Sequence, residues 1–287
     1  MVILVTGATG QVGSRFVPRL LGRVPDGGTV RVLVRDERRA EPFAARGAQV
    51  AVGELRDAAT LRAALEGVDA VVNIAAAFRG VPDEEAWEVN ARGAVALGRA
   101  AVEAGAARFV QVSTNLVYGL GRGRPHEEDD ASQPGGPLWG AYPASKAEAE
   151  RSLLALHRDR GLDVRIGRLA FVYGDGDPHL SQSTRLLQRW PGSRRLQMVH
   201  HADVAQGLLR LLFAEGIAGR AYNIADEAPC TLVELHQLNR VPAPDGLGAQ
   251  PDDSPWTGIV SVERARRELG FRPVYPTVWT AREAGAL

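Results

Sequence analysis

Lysine is almost missing from this 287-residue chain. Of 34 basic residues only Lys146 is a lysine, and arginine carries the rest of the positive charge. Cysteine is likewise reduced to Cys230, which excludes an internal disulfide and a cysteine-built metal cluster and reads as a small buried apolar residue. No apolar run approaches the roughly 20 residues of a membrane span. Acidic and basic residues balance at 34 each, so no whole-chain charge argues for nucleic acid or an anionic membrane as a partner. Internal repeats and low-complexity tails are absent. Val2-Ile3-Leu4-Val5 already reads as a core strand, from which we expect a cytoplasmic protein without a leader segment. The arginine bias fits genome composition and heat adaptation alike.

What is present is an ordinary globular composition, 45% apolar and 24% charged, long enough for one large domain or two small ones. Short apolar runs at Val2–Val5, Val30–Val34, Gln49–Val52, Ala70–Ile74, Phe109–Val112 and Val164–Ile166 predict strands. Helical patterns lie between them, at Val12–Leu21, Ala58–Leu65, Glu84–Ala104 and Ala141–His157. Apolar strands separated by helices predict βαβ units and a parallel sheet covered on both faces. The expected fold class is α/β: a doubly wound parallel sheet of Rossmann type, with a small C-terminal substrate-binding lobe. We expect residues 1–170 to form the dinucleotide-binding domain and 171–287 mainly the lobe, with 200–225 returning to the core. Beyond Leu169 the rhythm breaks. Tyr173–Pro178 and Val241–Pro255 read as loops, and helices are expected near Gln182–Arg189, His201–Phe213 and Val262–Leu269. Ala221–Ile224 reads as a strand, and Gly270 as the last helix's stop.

The first strand runs into Thr6-Gly7-Ala8-Thr9-Gly10-Gln11-Val12-Gly13, with a helix behind it. Glycines at a strand-to-helix turn permit a tight backbone and close approach of a diphosphate, and the helix N-terminus adds free N–H groups and a favourable dipole. The motif alone is weak, but its position in a βαβ unit predicts dinucleotide binding. Strand two ends in Arg35-Asp36, where NAD-binding units carry an acid for the ribose hydroxyls. A guanidinium there can pair with a 2′-phosphate, so NADP is the expected cofactor. Asp36 keeps NAD as the alternative.

Lys146 stands four residues after Tyr142, so on a helix the two share a face. A compact ammonium there is expected to stabilise a tyrosinate and bring the phenol below its usual value of about 10, making Tyr142 a usable acid or base. Hydride transfer to a ketone builds negative charge on oxygen, which a tyrosine proton neutralises while a threonine hydroxyl fixes the geometry.

The glycine turn, the Tyr142/Lys146 pair and Ser113-Thr114 ahead of it together resemble the extended short-chain dehydrogenase/reductases, more narrowly the NAD-dependent epimerase/dehydratase family. Val112–Gly119 matches its fifth strand and following loop, Tyr142–Lys146 its catalytic helix, and Arg168–Gly174 the segment passing the nicotinamide. Val199–Ala205 matches a late helix start, and Val262–Pro273 the C-terminal helix and turn. The resemblance implies that Tyr142 is the general acid/base, that Lys146 holds the nicotinamide ribose, and that Thr114 bonds the same substrate oxygen. It implies that Asn90 supports the site's architecture. Ala75, Ala76 and Ala77 would line the cofactor, and Glu54-Leu55 would lie near the adenine. Gly7, Thr9, Gly10, Gln11, Val12 and Gly13, with Arg35 or Asp36, Val112, Leu169, Phe171 and Val172, complete the implied cofactor surface. Two helical stretches, Glu84–Ala104 and Ala141–His157, would pair across a homodimer axis.

Departures from the pattern narrow the reaction. Sugar dehydratases of the family carry an acidic pair after the threonine; here Asn115 and Leu116 stand there. Nucleotide-sugar epimerases carry an arginine where this chain has Leu196, although Arg194 and Arg195 adjoin it. The expected function is therefore hydride transfer at a secondary alcohol or ketone of a small molecule. A nucleotide-sugar epimerase is the enzymatic alternative, and a non-catalytic NADP-binding regulator the alternative of another class. Phe78, Trp139, Phe171 and Trp190 either shape the pocket or pack. His200 and His201 suit helix capping and packing better than metal, and no metal site is expected. The acidic run Glu127–Asp130 is expected to be a solvated loop.

Overall fold

The computed structural model describes residues 1–135 and 140–287; Trp139 lies outside them. Seven strands form one parallel sheet: β1 (Val2–Thr6), β2 (Thr29–Val34), β3 (Gln49–Val52), β4 (Ala70–Asn73), β5 (Arg108–Thr114), β6 (Asp163–Leu169) and, late in the chain, β10 (Arg220–Ile224). Their order across the sheet is β10-β6-β5-β4-β1-β2-β3, and every neighbouring pair is parallel. The chain reverses its direction of winding between β1 and β4, the place where a doubly wound sheet opens a crevice at its strand C-termini.

Alternation along the strands divides the core between the two faces. Ile3 and Val5 of β1 join Phe16, Val17 and Leu20 of the helix Gln11–Leu21 and Leu208, Leu211 and Leu212 of the helix His201–Phe213. Leu4, from the same strand, points the other way, into a cluster with Leu61, Leu97 and Leu153. These three come from the helices Ala58–Ala64, Ala94–Glu103 and Tyr142–Arg160.

The expected helix Glu84–Ala104 is one continuous rod with a wide turn inside it. Asp83–Trp87 is α-helical, Glu88–Gly93 is a π-turn, and Ala94–Glu103 is α-helical again. A π-turn inserts a residue into the helical register and re-aims a side chain, here Asn90.

A smaller lobe stands over the C-terminal edge of the sheet. It contains β7 (Phe171–Tyr173), β8 (Arg195–Leu196), β9 (Met198–His200) and β11 (Cys230–Thr231), with β7 parallel to β9 and β11 antiparallel to β8. Its own apolar cluster includes Tyr173, Trp190, Met198, Leu235 and the buried Cys230. The helix expected near Gln182–Arg189 lies at His179–Leu186, and helices at Leu232–Leu238 and Val278–Glu283 were not expected.

Glu127–Asp130 is a loop with Glu127 and Asp129 exposed, as expected, but Glu128 departs from the expectation. Glu128 is buried, its carboxylate accepts the Asn223 N–H at 2.9 Å, and its carbonyl accepts from Arg168 at 3.0 Å. Asp130 accepts from Arg124 and from the Glu127 N–H. The segment is a strap tied to β10 and β6, held by a carboxylate that alternation could not locate.

Candidate active site

The C-terminal ends of β1, β4 and β5 are joined beneath the crevice by a buried polar chain. The Thr6 hydroxyl donates to Asn73 Oδ1 at 2.5 Å, Asn73 Nδ2 to Gln111 Oε1 at 2.8 Å, and Gln111 Nε2 to the Val112 carbonyl at 2.7 Å. Above this chain opens a cavity of about 1150 Å³.

At one end its floor is the glycine turn. Gly7 has φ +68° and packs so tightly on Ala75 that a Cβ would stand 2.5 Å from the Ala75 nitrogen. A Cβ on Gly13 would stand 2.1 Å from the Gly7 carbonyl oxygen. Both glycines are therefore required by the protein itself. Gly10 differs: its Cβ would come no nearer than 3.4 Å to the Gly7 oxygen, an ordinary contact. Its bare backbone serves the cavity. The helix Gln11–Leu21 begins there without a side-chain cap, so its first N–H groups stay available to an anion.

Arg35 lines the cavity at the end of β2, with Arg39 beside it donating to the Thr9 carbonyl at 3.1 Å. Asp36 does not line it. Its carboxylate caps the turn Glu37–Ala40 through the Arg38 N–H and pairs with the Arg38 side chain. That Arg38 contact holds its carboxyl below the usual range. Glu54, paired with Arg56, and Leu55 line the same end. Ala75, Ala76, Ala77, Val112, Leu169, Phe171 and Val172 line the middle, as do Thr9, Gln11 and Val12 nearer the turn.

Tyr142, Lys146 and Thr114 converge at the other end. Tyr142 opens the helix Tyr142–Arg160, whose start is fixed by Asp83 accepting the Ala141 N–H at 3.0 Å. Lys146, only 1% exposed, donates to the Val112 carbonyl at 3.0 Å and to the Ala75 carbonyl at 3.5 Å. Burial pulls the ammonium down to about 8, with Glu150 opposing. The Tyr142 phenol moves the opposite way from the expectation. Burial pushes it up to about 12, against contrary pulls from the Thr114 hydroxyl and the Arg79 charge. The ammonium serves two carbonyls, and desolvation of the phenol outweighs the attraction that helical spacing suggested.

Asn90 lies outside the cavity wall and braces it from behind. Its Oδ1 accepts the Ala77 N–H at 2.8 Å, while Nδ2 donates to the Ala77 carbonyl at 2.9 Å and to Ser145 Oγ at 3.1 Å. One amide thus links the loop after β4 to the helix bearing Tyr142. That helix is also held by Glu150, whose carboxylate receives three contacts of 2.6–3.1 Å from Arg168 on β6.

Phe78, Phe171 and Trp190 line the cavity. His200 and His201 are held by groups of the protein. His200 Nδ1 caps its helix by accepting the Ala202 N–H, and His201 Nε2 meets Asp177 Oδ2 at 2.8 Å. Burial would raise the Asp177 carboxyl, but hydrogen bonds from His179 and His201 outweigh it and leave the group well below the carboxylate range. Among the described residues no group of three His, Cys, Asp or Glu side chains could hold a metal ion, and no helix is long and apolar enough to cross a membrane. Sequence reasoning missed Arg79, Asp177, His179, Gln197, Thr257 and Gly258, all in the cavity wall. Arg79-Gly80, one residue after the alanine run, was a readable turn signal. Thr257 and Gly258 arrive from the far end of the chain, tied in by the Asn115 amide donating to the Gly258 carbonyl at 2.7 Å.

The profile of the NAD dependent epimerase/dehydratase family matches residues 3–225. The chain belongs to this family. It is similar to a 4-hydroxy-2-methyl-3-oxo-4-farnesyl-3,4-dihydroquinoline-1-oxide ketoreductase of Stigmatella aurantiaca, 35% identical over 94% of this chain and 80% of that one. It is also similar to a dTDP-glucose 4,6-dehydratase of Streptomyces griseus, 31% identical over 94% of this chain and 89% of the relative. Among solved structures, the dTDP-glucose 4,6-dehydratase of Streptomyces venezuelae with NAD bound superposes with a TM-score of 0.78 at 31% identity, covering 99% of this chain and 97% of that one. This family member is an enzyme, which sets aside the reading as a non-catalytic regulator. It is of the extended short-chain type, with chemistry of the NAD-dependent oxidoreductase/epimerase kind.

Proposed function

We propose that this enzyme reduces a ketone, or oxidises the corresponding secondary alcohol, of a small molecule held between Tyr142 and Trp190. The observation that carries the reading is the meeting of the Tyr142 phenol, the Thr114 hydroxyl and the Lys146 ammonium on one wall of the cavity that begins at the glycine turn. A nicotinamide dinucleotide fits that turn, where Gly10 leaves backbone bare and the helix start is uncapped; when bound, it supplies the hydride acceptor or donor. Tyr142 Oη gives its proton to the substrate oxygen in reduction and recovers it in oxidation. A phenol held protonated to about 12 suits the reductive direction. Thr114 bonds the same oxygen and fixes its position. Lys146 holds the nicotinamide ribose from the carbonyls of Val112 and Ala75. Asn115 and Leu116 offer no acid after Thr114, which speaks against dehydration. Tyr142→Phe should abolish turnover of a ketone panel while leaving nucleotide affinity within about two-fold. Turnover retained in that variant would sink the assignment.

For the cofactor the reading is NADP. Arg35 and Arg39 line the adenosine end, and Asp36 is spent on its cap. The NAD held by the Streptomyces venezuelae relative makes NAD the competing outcome. Titration with NADPH and NADH decides: tighter NADPH binding that Arg35→Ala removes supports the reading, and equal or tighter NADH binding overturns it.

A second reading, a nucleotide-sugar epimerase, is favoured by Arg195. It lines the cavity beside Leu196 with its guanidinium 4.9 Å from the Trp256 ring. Such an enzyme returns the hydride and retains its cofactor, so stoichiometric nucleotide released from the denatured protein would favour it. We further propose that the helices Ala94–Glu103 and Tyr142–Arg160 face a second copy in a homodimer, which sedimentation would test.

A further inference from the structure

One residue after the alanine run that lines the middle of the cavity, the chain makes a turn that ordinary side chains avoid. Arg79 has φ +52° and Gly80 φ +68°. A left-handed arginine followed by a left-handed glycine is a strained arrangement, and such strain persists where surrounding contacts hold it. Here they hold a charge inside the cavity wall. The Arg79 guanidinium lies 4.6 Å from the centre of the Phe78 ring and 5.7 Å from that of Phe171. Phe78 in turn lies 4.2 Å from the Tyr142 ring at a tilt of 43°. The three side chains form one stack in the order cation, apolar ring, phenol, and all three line the cavity.

We propose that Arg79 is a positioning residue for Tyr142: through Phe78 it fixes the tilt of the phenol, and its charge stabilises the oxyanion that Tyr142 becomes when it gives up its proton. The inference rests on the acid/base reading of Tyr142. Arg79 is half-buried, and a charge in a partly desolvated wall is screened less than in open solvent. The other charged groups near the phenol make contacts of their own, and Asp177 also acts on Arg79. Lys146, on the same helix, serves the carbonyls of Val112 and Ala75. Asp83 holds the Ala141 N–H. Asp177, from the lobe, is bound by His179 and His201. Arg79 is also the charged group whose field lowers the phenol against the burial that raises it. The chain thus places a second cation beside its tyrosine, on a different element from the lysine, in a turn that a glycine or asparagine would form more easily.

The test needs no substrate. Tyrosine labelled with carbon-13 at the phenol carbon gives five resonances, one per tyrosine, and the one missing in Tyr142→Phe is Tyr142. It is titrated in the intact protein with saturating NADP, or NAD where that binds more tightly. Arg79→Met should cut the Tyr142 tyrosinate fraction about ten-fold at the highest pH at which both proteins stay folded, read from the displacement of its resonance. Arg79→Lys, which keeps the charge and the stem, should restore most of it. A tyrosinate fraction in Arg79→Met equal to wild type, with the fold and nucleotide affinity intact, overturns the inference. Failure of the acid/base reading shows separately, as turnover retained in Tyr142→Phe.

Discussion

Glu150 and Arg168 make the sharpest stability prediction. Glu150 sits four residues beyond Lys146 on the helix that opens with Tyr142, and Arg168 sits on β6 next to Leu169 of the cavity wall. Their side chains are 3% and 7% exposed. Arg168 Nε reaches both carboxylate oxygens at 3.1 Å and Nη2 reaches one at 2.6 Å, while Nη1 donates to Tyr118 Oη at 2.7 Å and to the Glu128 carbonyl at 3.0 Å. Removing one partner of a buried pair strands the other charge, at about 3–5 kcal/mol. Glu150→Gln retains an amide oxygen for one of the Arg168 donors and should fall near 3 kcal/mol. Arg168→Met strands a carboxylate and also leaves the Tyr118 hydroxyl and the Glu128 carbonyl short of a donor, so it should approach 5 kcal/mol. At about 2 °C per kcal/mol for a chain of this size, melting temperatures should drop by roughly 6 °C and 10 °C. The double variant Glu150→Met/Arg168→Met removes both charges and should recover at least half of the Arg168→Met loss. Urea unfolding followed by circular dichroism measures all three. A loss under about 1 kcal/mol for Arg168→Met, or a double variant no more stable than Arg168→Met alone, would refute the reasoning.

Lys146 has its pKa lowered on folding from 10.5 to about 8, so the unfolded chain binds more protons between those values and stability should rise as pH climbs through them. Cys230, raised to about 12 from 9.0, acts in the opposite sense as pH nears and passes 9, but it is common to both proteins and cancels in a comparison with Lys146→Met over pH 8–9. There the nucleotide-free protein should gain up to about 1 kcal/mol relative to Lys146→Met, and a constant difference across the window would contradict the assignment. Gly13→Ala forces a Cβ to 2.1 Å from the Gly7 oxygen and should cost both stability and nucleotide binding, whereas Gly10→Ala should melt like wild type and lose binding at least ten-fold by calorimetry. Asn90→Ala leaves the buried N–H and carbonyl of Ala77 without a partner and should cost about 2–3 kcal/mol in the same urea assay; a loss below 1 kcal/mol would show that the brace is dispensable.

Much of the first half was legible because continuous apolar strands and helical stripes repeat often enough to read. Gly7 and Gly13 stand where the turn demands them, and Tyr142 and Lys146 share the helix face their spacing required. Local pattern could not reach features that depend on distant partners. The acid at Glu128 looked solvated because its partners, Asn223 and Arg264, come from the far end of the chain. β8 and β11 have two residues each, too few for a period to register. The direction of the Tyr142 shift was misjudged for a related reason: spacing gives the distance to a charge along a helix, whereas burial depends on everything packed around it.

The solitary lysine also makes this chain unusually simple to label. In this sequence an amine-reactive acylating reagent has one side-chain target besides the terminal amine. That target is an amine near pH 8 rather than 10.5, at the wall of the cavity. Its neutral, nucleophilic fraction near neutrality is raised over a hundred-fold, while its burial restricts the reagents that reach it. Acyl groups at Lys146, counted by mass, would therefore report how open the cavity is.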